Sequence, residues 1–231
     1  MKKTLSLLLT LLIFSLIPVF AFADSEITVS GTGNVLVPAD TAVVSLGVSA
    51  ADKDVRTAQS MANKAIASIR SALIESGIAE EYINTDYINI YAMYDYSDGF
   101  EQITGYNANS TLAIRVKEID KVGEVIDLAF GAGANTLNGI NFSVTDTTEA
   151  REKAMRLAVA DAQNKADVLA DAAGLQIRGI EDIAEQNTYS YDRGVMNNFD
   201  AIEAESAAGT VVQAAKLTVS SSVVITFKAD K

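Results

Sequence analysis

Between Thr41 and Thr145 the hydrophobic period switches in the order two, 3.6, two, two, 3.6, two, and no other feature of the chain restricts its fold as much. Thr41 to Ser49 reads as a strand. Asp54 to Ser76 puts Val55, Ala58, Ala62, Ala65, Ile66, Ile69 and Leu73 on one stripe, with Asp52 or Asp54 as cap and Gly77 just past the end. That spacing predicts an amphipathic helix of about six turns. Ile83 to Tyr94 and Ile103 to Lys117 predict two long strands of a hairpin turning at Asp98-Gly99, a dipeptide suited to positive φ. Ile119 to Phe130 predicts a shorter helix on Val122, Val125, Ile126 and Ala129, and Leu137 to Thr145 a returning strand. Strand, helix, strand, strand, helix, strand is the ferredoxin-like order, βαββαβ. It predicts an α+β fold in which an antiparallel sheet carries its helices on one face.

The flanks extend that unit by a long helix and further strands. Ile27 to Val37 is β-like with Gly31 and Gly33 inside it, and Pro38-Ala39-Asp40 reads as a turn, so two short strands are expected to open the domain. Asp146 to Ala173 predicts the long helix, with Asp146 and Glu149 spaced as a capping-box variant and Gly174-Leu175 as a Schellman stop. Its inward stripe is alanine: Ala154, Ala158, Ala162, Ala166, Ala170 and Ala173. Glu149 with Lys153 and Asp161 with Lys165 are spaced as i,i+4 pairs on the wet side. Ile177 to Ala184 and Lys216 to Lys228 read as strands, and the aperiodic stretch near 186–209 as a long loop. One domain over 24–231 is expected.

Ahead of it, Lys2 and Lys3 precede a charge-free apolar run from Leu5 to Ile17, Pro18 breaks the run, and Ala21-Phe22-Ala23 follows. This is the pattern of a signal peptide over 1–23 cleaved after Ala23, and the run is too short for a spanning helix. The expected location is secreted or in the periplasm and cell envelope. Loss of the two lysines would take the net charge from −12 to −14. Such a charge repels phosphate backbones, so nucleic acid is excluded as a partner.

The chain contains neither histidine nor cysteine. That removes Ser-His-Asp catalysis, His-ligated metals and thiol chemistry, and it leaves folding to packing alone, without disulfides. Only carboxylates remain for acid-base work. Asp95, Asp98 and Glu101 cluster at the hairpin tip, where the spacing does not fit an EF-hand and an exposed polar turn outweighs a weak calcium site. Glu181, Asp182 and Glu185 read as solvated strand-end charges before a glycosidase pair, and Asp167 with Asp171 as a solvated helix face. Gly31-Thr32-Gly33 opens no helix and lacks a lysine, so it is no phosphate loop. No catalytic, cofactor or metal residue is assigned.

Particular residues resemble the SIMPL domain family: Ile27-Thr-Val-Ser-Gly31-Thr-Gly33, Pro38-Ala-Asp40-Thr-Ala42, Gly105-Tyr106, Gly131-Ala-Gly133, Gly139-Ile140, and the helix run from Ala150-Arg151 through Asp161-Ala162 and Lys165-Ala166 to Ala173-Gly174. The resemblance implies an exported bacterial envelope protein of the periplasmic immunogenic type, with an indirect link to oxidative-stress protection and assembly into homo-oligomers. It brings no catalytic residue. The expected function is therefore non-enzymatic, by binding or self-assembly, against the alternatives of a carboxylate-dependent hydrolase of envelope polymers or a purely structural oligomer.

One surface is a candidate interface. Alternation along Ile83 to Tyr94 sends Ile88 and Ile90 to one face and Tyr87, Tyr91 and Met93 to the other. If helices cover only the isoleucine face, the tyrosines are left for a second subunit, the loop carrying Tyr189 and Tyr191, or an external ligand. The competing expectation is that they pack inside the monomer under the first or last strand.

Overall fold

The structure, a computed structural model, describes residues 25–97, 100–186, 209–214 and 216–231. The signal-peptide region, the hairpin dipeptide Asp98-Gly99 and most of the expected long loop, with Tyr189 and Tyr191, lie outside them.

The central unit forms as its periodicities dictate. Strands β2 (Thr41–Asp52), β3 (Ile83–Asp95), β4 (Gln102–Val116) and β5 (Thr136–Ser143) make a four-stranded antiparallel sheet in the order β3-β4-β2-β5. Helix α1 (Val55–Glu75) crosses from β2 to β3 and helix α2 (Val122–Gly131) from β4 to β5. Each crossover joins two parallel strands that flank a third, and right-handed connection puts both helices on one face. Ile69 and Leu73 of α1, and Val122 and Ile126 of α2, pack there on Val44, Leu46, Leu112 and Ile114. Each fully buried leucine or isoleucine contributes roughly 1.5–3 kcal/mol. Asp54 caps α1 by accepting the Thr57 N–H at 2.9 Å.

The flanking elements build a second sheet with its own core. Strand β1 (Ser25–Pro38) does not join β2; it pairs along its whole length with β7 (Lys216–Asp230), from Ser25 opposite Ala229 to Pro38 opposite Lys216. Strand β6 (Gln176–Gln186) lies on the other side of β7, giving the order β1-β7-β6. The two opening strands thus belong to different sheets, and β1 is long because its partner is the long last strand.

Helix α3 (Thr148–Ala173) covers β1 and β7 with the buried Ala154, Ala158, Ala162, Ala166 and Ala170. Ala173, expected on the inward stripe, is exposed in the last turn. Gly174 then adopts φ 68°, and the Leu175 N–H reaches the Ala170 carbonyl at 2.9 Å in the expected Schellman stop. The start differs from the expected capping box: Asp146, two residues ahead of the helix, accepts the Thr148 N–H at 2.8 Å, and Thr147 occupies the cap position.

Two connections between the sheets meet at Asp40. Its carboxylate accepts the Thr145 N–H at 2.9 Å and the Thr41 and Thr145 hydroxyls at 3.0 Å, while its own N–H donates to the Ser143 carbonyl at 3.1 Å. Desolvation raises the Asp40 carboxyl, but the hydrogen bonds from Thr145 and Thr41 outweigh it and hold the group below the ordinary 3.8.

Candidate functional site

Among the described residues, helices cover one face of the four-stranded sheet and leave the other open, and register decides what that open face carries. Tyr87 stands opposite Thr111, Asn89 opposite Asn109, Tyr91 opposite Asn107 and Met93 opposite Gly105. Cross-strand partners share a face, so these residues line the side away from Val44 and Leu112. The row continues into β2, where Ser49 pairs with Asn109 and Gly47 with Thr111. Tyr87 and Tyr91 are 55% and 47% exposed, so they do not pack under β1 or β7, which lie in the other sheet. Met93 is half-buried. On the helix side Ile90 packs against the core, but Ile88 is exposed because β3 is the outer strand.

Some polar groups of this face satisfy one another. Ser49 and the Asn107 amide are hydrogen-bonded at 3.1 Å, Asn138 donates to the Thr111 hydroxyl at 3.1 Å, and the Ser45 hydroxyl reaches over Ala113 to Asp86 at 3.0 Å. Asp86 can do so because a bulge between Thr85 and Tyr87 gives β3 an extra residue there. The half-buried Asn89 and Asn109 make no side-chain hydrogen bond among the described residues. They form an opposed amide pair between the two tyrosines. Sequence alternation found the tyrosines, but this pairing depends on the bulge.

The acidic groups offer less. Asp95 accepts the Ser97 N–H at 2.9 Å, which lowers its pKa, and Glu101 is exposed just before β4. Glu181 pairs with Lys228 at 3.4 Å, and Glu181, Asp182 and Glu185 are exposed along β6. Asp167 and Asp171 are exposed on α3. Among the described residues, no cluster of acidic side chains could hold a metal ion. A cleft of about 260 Å³ lies between the end of α1 and the start of α2, lined by Ile78, Tyr82, Lys117, Glu118, Lys121 and Leu128. Two of its three cations are engaged: Lys117 sits 2.6 Å from the Tyr82 hydroxyl and Lys121 2.7 Å from Glu118, while Arg115 also lines the cleft.

The family model for SIMPL, described as a protein of unknown function (DUF541), matches residues 27–227. The chain belongs to the SIMPL family. It is 31% identical to the 26 kDa periplasmic immunogenic protein of Brucella melitensis over 166 residues, 70% of this chain and 66% of that protein. It is 30% identical over 146 residues to the uncharacterized protein YggE of Escherichia coli K12, 63% of this chain and 59% of YggE. The chain therefore matches slightly less than two thirds of the length of these relatives. The most specific SIMPL residues do not fall on the open face. Gly31, Gly33, Asp161, Ala162, Lys165 and Ala166 lie where α3 meets β1, so that part of the SIMPL signature records helix-on-sheet packing. No helix of the described residues is long and apolar enough to cross a membrane.

Proposed function

We propose that this SIMPL protein acts without catalysis, by binding in the cell envelope through the open face of the four-stranded sheet, with another envelope component or a second copy of the chain as partner. The observation that carries this reading is the exposure of Tyr87 and Tyr91 on a face that no helix of the described residues covers. Tyrosine buries a large ring in a contact while its hydroxyl keeps a polar partner. Export follows from the N-terminal pattern, with processing after Ala23, and is supported by the periplasmic name of the Brucella relative. Intact-mass analysis of exported protein tests the processing site; retention of residues 1–23 overturns it. Any effect on oxidative stress is indirect, since the chain has no thiol or imidazole.

The hydrolase alternative needs a carboxyl held protonated near neutral pH. The shifts resolved for Asp40, Asp95, Asp127, Asp146 and Asp161 all run downward, towards permanent acceptors. Incubating the processed chain with isolated cell envelopes separates the readings. Binding requires retention, or a concentration-dependent mass by light scattering, that Tyr87→Ser with Tyr91→Ser abolishes while circular dichroism is unchanged. Release of soluble fragments, with neither retention nor mass altered in the double variant, overturns it.

A further inference from the structure

Asparagine is among the residues most depleted from strands, because its short amide competes with the backbone ladder and packs poorly on a pleated surface. Yet β3 and β4 place Asn89 directly opposite Asn109, with Asn107 one step along, on the same open face. A merely solvated sheet face would favour threonine or long charged side chains, which suit strands and keep edges soluble. The chain does not lack charge, with 48 Asp, Glu, Lys and Arg residues, but none of them lies between Tyr87 and Tyr91 on β3 or opposite them on β4. The two tyrosines are about 13 Å apart along the strand, four residue steps from one another. Between them the Asn89 and Asn109 amides have no partner among the described residues, and beside Tyr87 the face continues over the buried Thr111, whose hydroxyl is engaged by Asn138.

Resting on the open-face reading, we propose that the Tyr87-Asn89-Tyr91 row and the facing Asn109 bind an uncharged glycan. Each amide offers both donors and an acceptor, the combination that vicinal hydroxyls and N-acetyl groups require, and a tyrosine ring stacks on the C–H face of a sugar. An anionic polymer fits poorly, because the chain carries a net charge of −12 and the row supplies no cation. A peptide strand would pair through its backbone along the outer edge of β3, whereas this row lies on the face beside that edge, where side chains meet the ligand.

The probes are a β-1,4-linked N-acetylglucosamine hexamer and maltohexaose, titrated calorimetrically into the processed chain, with side-chain amide resonances followed by NMR. At least one hexamer binds saturably and shifts the Asn89 and Asn109 amide signals. Asn89→Ala with Asn109→Ala weakens binding about tenfold or more, and Tyr87→Ser with Tyr91→Ser does so independently, with melting temperature unchanged in both. Absence of binding at millimolar concentration, or binding equal in both variants, overturns the glycan. If the tyrosine variant loses oligomeric mass while no hexamer binds the parent chain, the face belongs to a second copy: the glycan falls and the open-face reading stands. If the variant also keeps its mass and its retention on envelopes, both fall.

Discussion

Gly31 on β1 lies so close to α3 that a Cβ built on it would stand 2.0 Å from the Ala158 carbonyl oxygen and 2.7 Å from the Ala162 nitrogen. Gly33 repeats the relationship one turn earlier, 2.0 Å from the Ala154 carbonyl oxygen. Glycine on the strand and alanine on the helix bring two backbones into contact, and the obstacle to a side chain is backbone that cannot rotate away. Gly31→Ala should therefore lift α3 and cost on the order of 3 kcal/mol, at the upper end of overpacking. Denaturant unfolding measures it; a midpoint within error of the parent chain would mean that the contact is not this tight.

The helix side of the same contact gives a second prediction. Ala162 is fully buried, and its Cβ is 2.8 Å from where a Gly31 side chain would begin. Ala162→Leu should cost about 1–3 kcal/mol, and because Gly31 and Ala162 touch, combining it with Gly31→Ala should depart from additivity. Equal and additive losses in a double-mutant cycle would place the two substitutions in separate environments.

A third prediction concerns the outer edge of β1. Asp161 accepts the Thr32 N–H at 2.8 Å, and Lys165 donates to the Ser30 carbonyl at 3.0 Å while bridging Asp161 at 2.7 Å. An i,i+4 pair on α3 thus occupies a donor and an acceptor of an edge strand that would otherwise template pairing with another chain. The Lys165 hydrogen bond first, and then the Thr32 N–H, hold the Asp161 carboxyl below 3.8. A lowered carboxylate stabilises the fold above the unfolded pKa and ceases to do so as pH falls through the folded one. Asp161→Ala should raise aggregation at neutral pH under mild heating, and the difference from the parent chain should shrink as pH falls through the lowered folded value of Asp161. Light scattering on warming decides it, and equal aggregation at neutral pH would show the edge to be protected by other means.

Much of the fold is legible in the sequence, and what escapes does so for definable reasons. Periodicity places α1, α2 and the four strands of the ferredoxin-like order because each buries one face, and the alternation of Leu217, Val219, Val223, Ile225 and Phe227 is recovered in the core of the second sheet or beside it. Alternation gives a strand its face but not its neighbour. Nothing local tells β1 to skip β2 and pair with a strand about two hundred residues away, Ser25 with Ala229. Asp161 and Lys165 look like a solvated pair until β1 is beside them, whereas the similarly spaced Glu149 and Lys153 are not among the ion pairs of the described residues. The tyrosine face was visible from Ile83 to Tyr94 alone, but the opposed Asn89 and Asn109 require the register set by the bulge before Tyr87.

The last prediction concerns the segment around Thr210, ahead of β7. Thr210 donates its N–H to Asp127 of α2 at 3.0 Å and its hydroxyl to the other carboxylate oxygen, and Val212 packs on the core of the four-stranded sheet before β7 enters the other sheet. Gly123 allows the approach, for a Cβ there would lie 2.0 Å from the Thr210 carbonyl oxygen. The Thr210 hydroxyl and then its N–H lower the Asp127 pKa from the ordinary 3.8, which outweighs the upward push of desolvation. The sign follows: the anchor is complete above the unfolded pKa and is lost as pH falls through the folded value. Asp127→Ala should speed hydrogen exchange at the Thr210 amide at neutral pH while leaving the amides of β7 protected, because β7 is held by its own ladder on both sides. Acidifying the parent chain should produce the same local release before global unfolding. Exchange at Thr210 that is unchanged by both the substitution and acid would show that Val212 and the Gly123 contact hold the segment without the carboxylate.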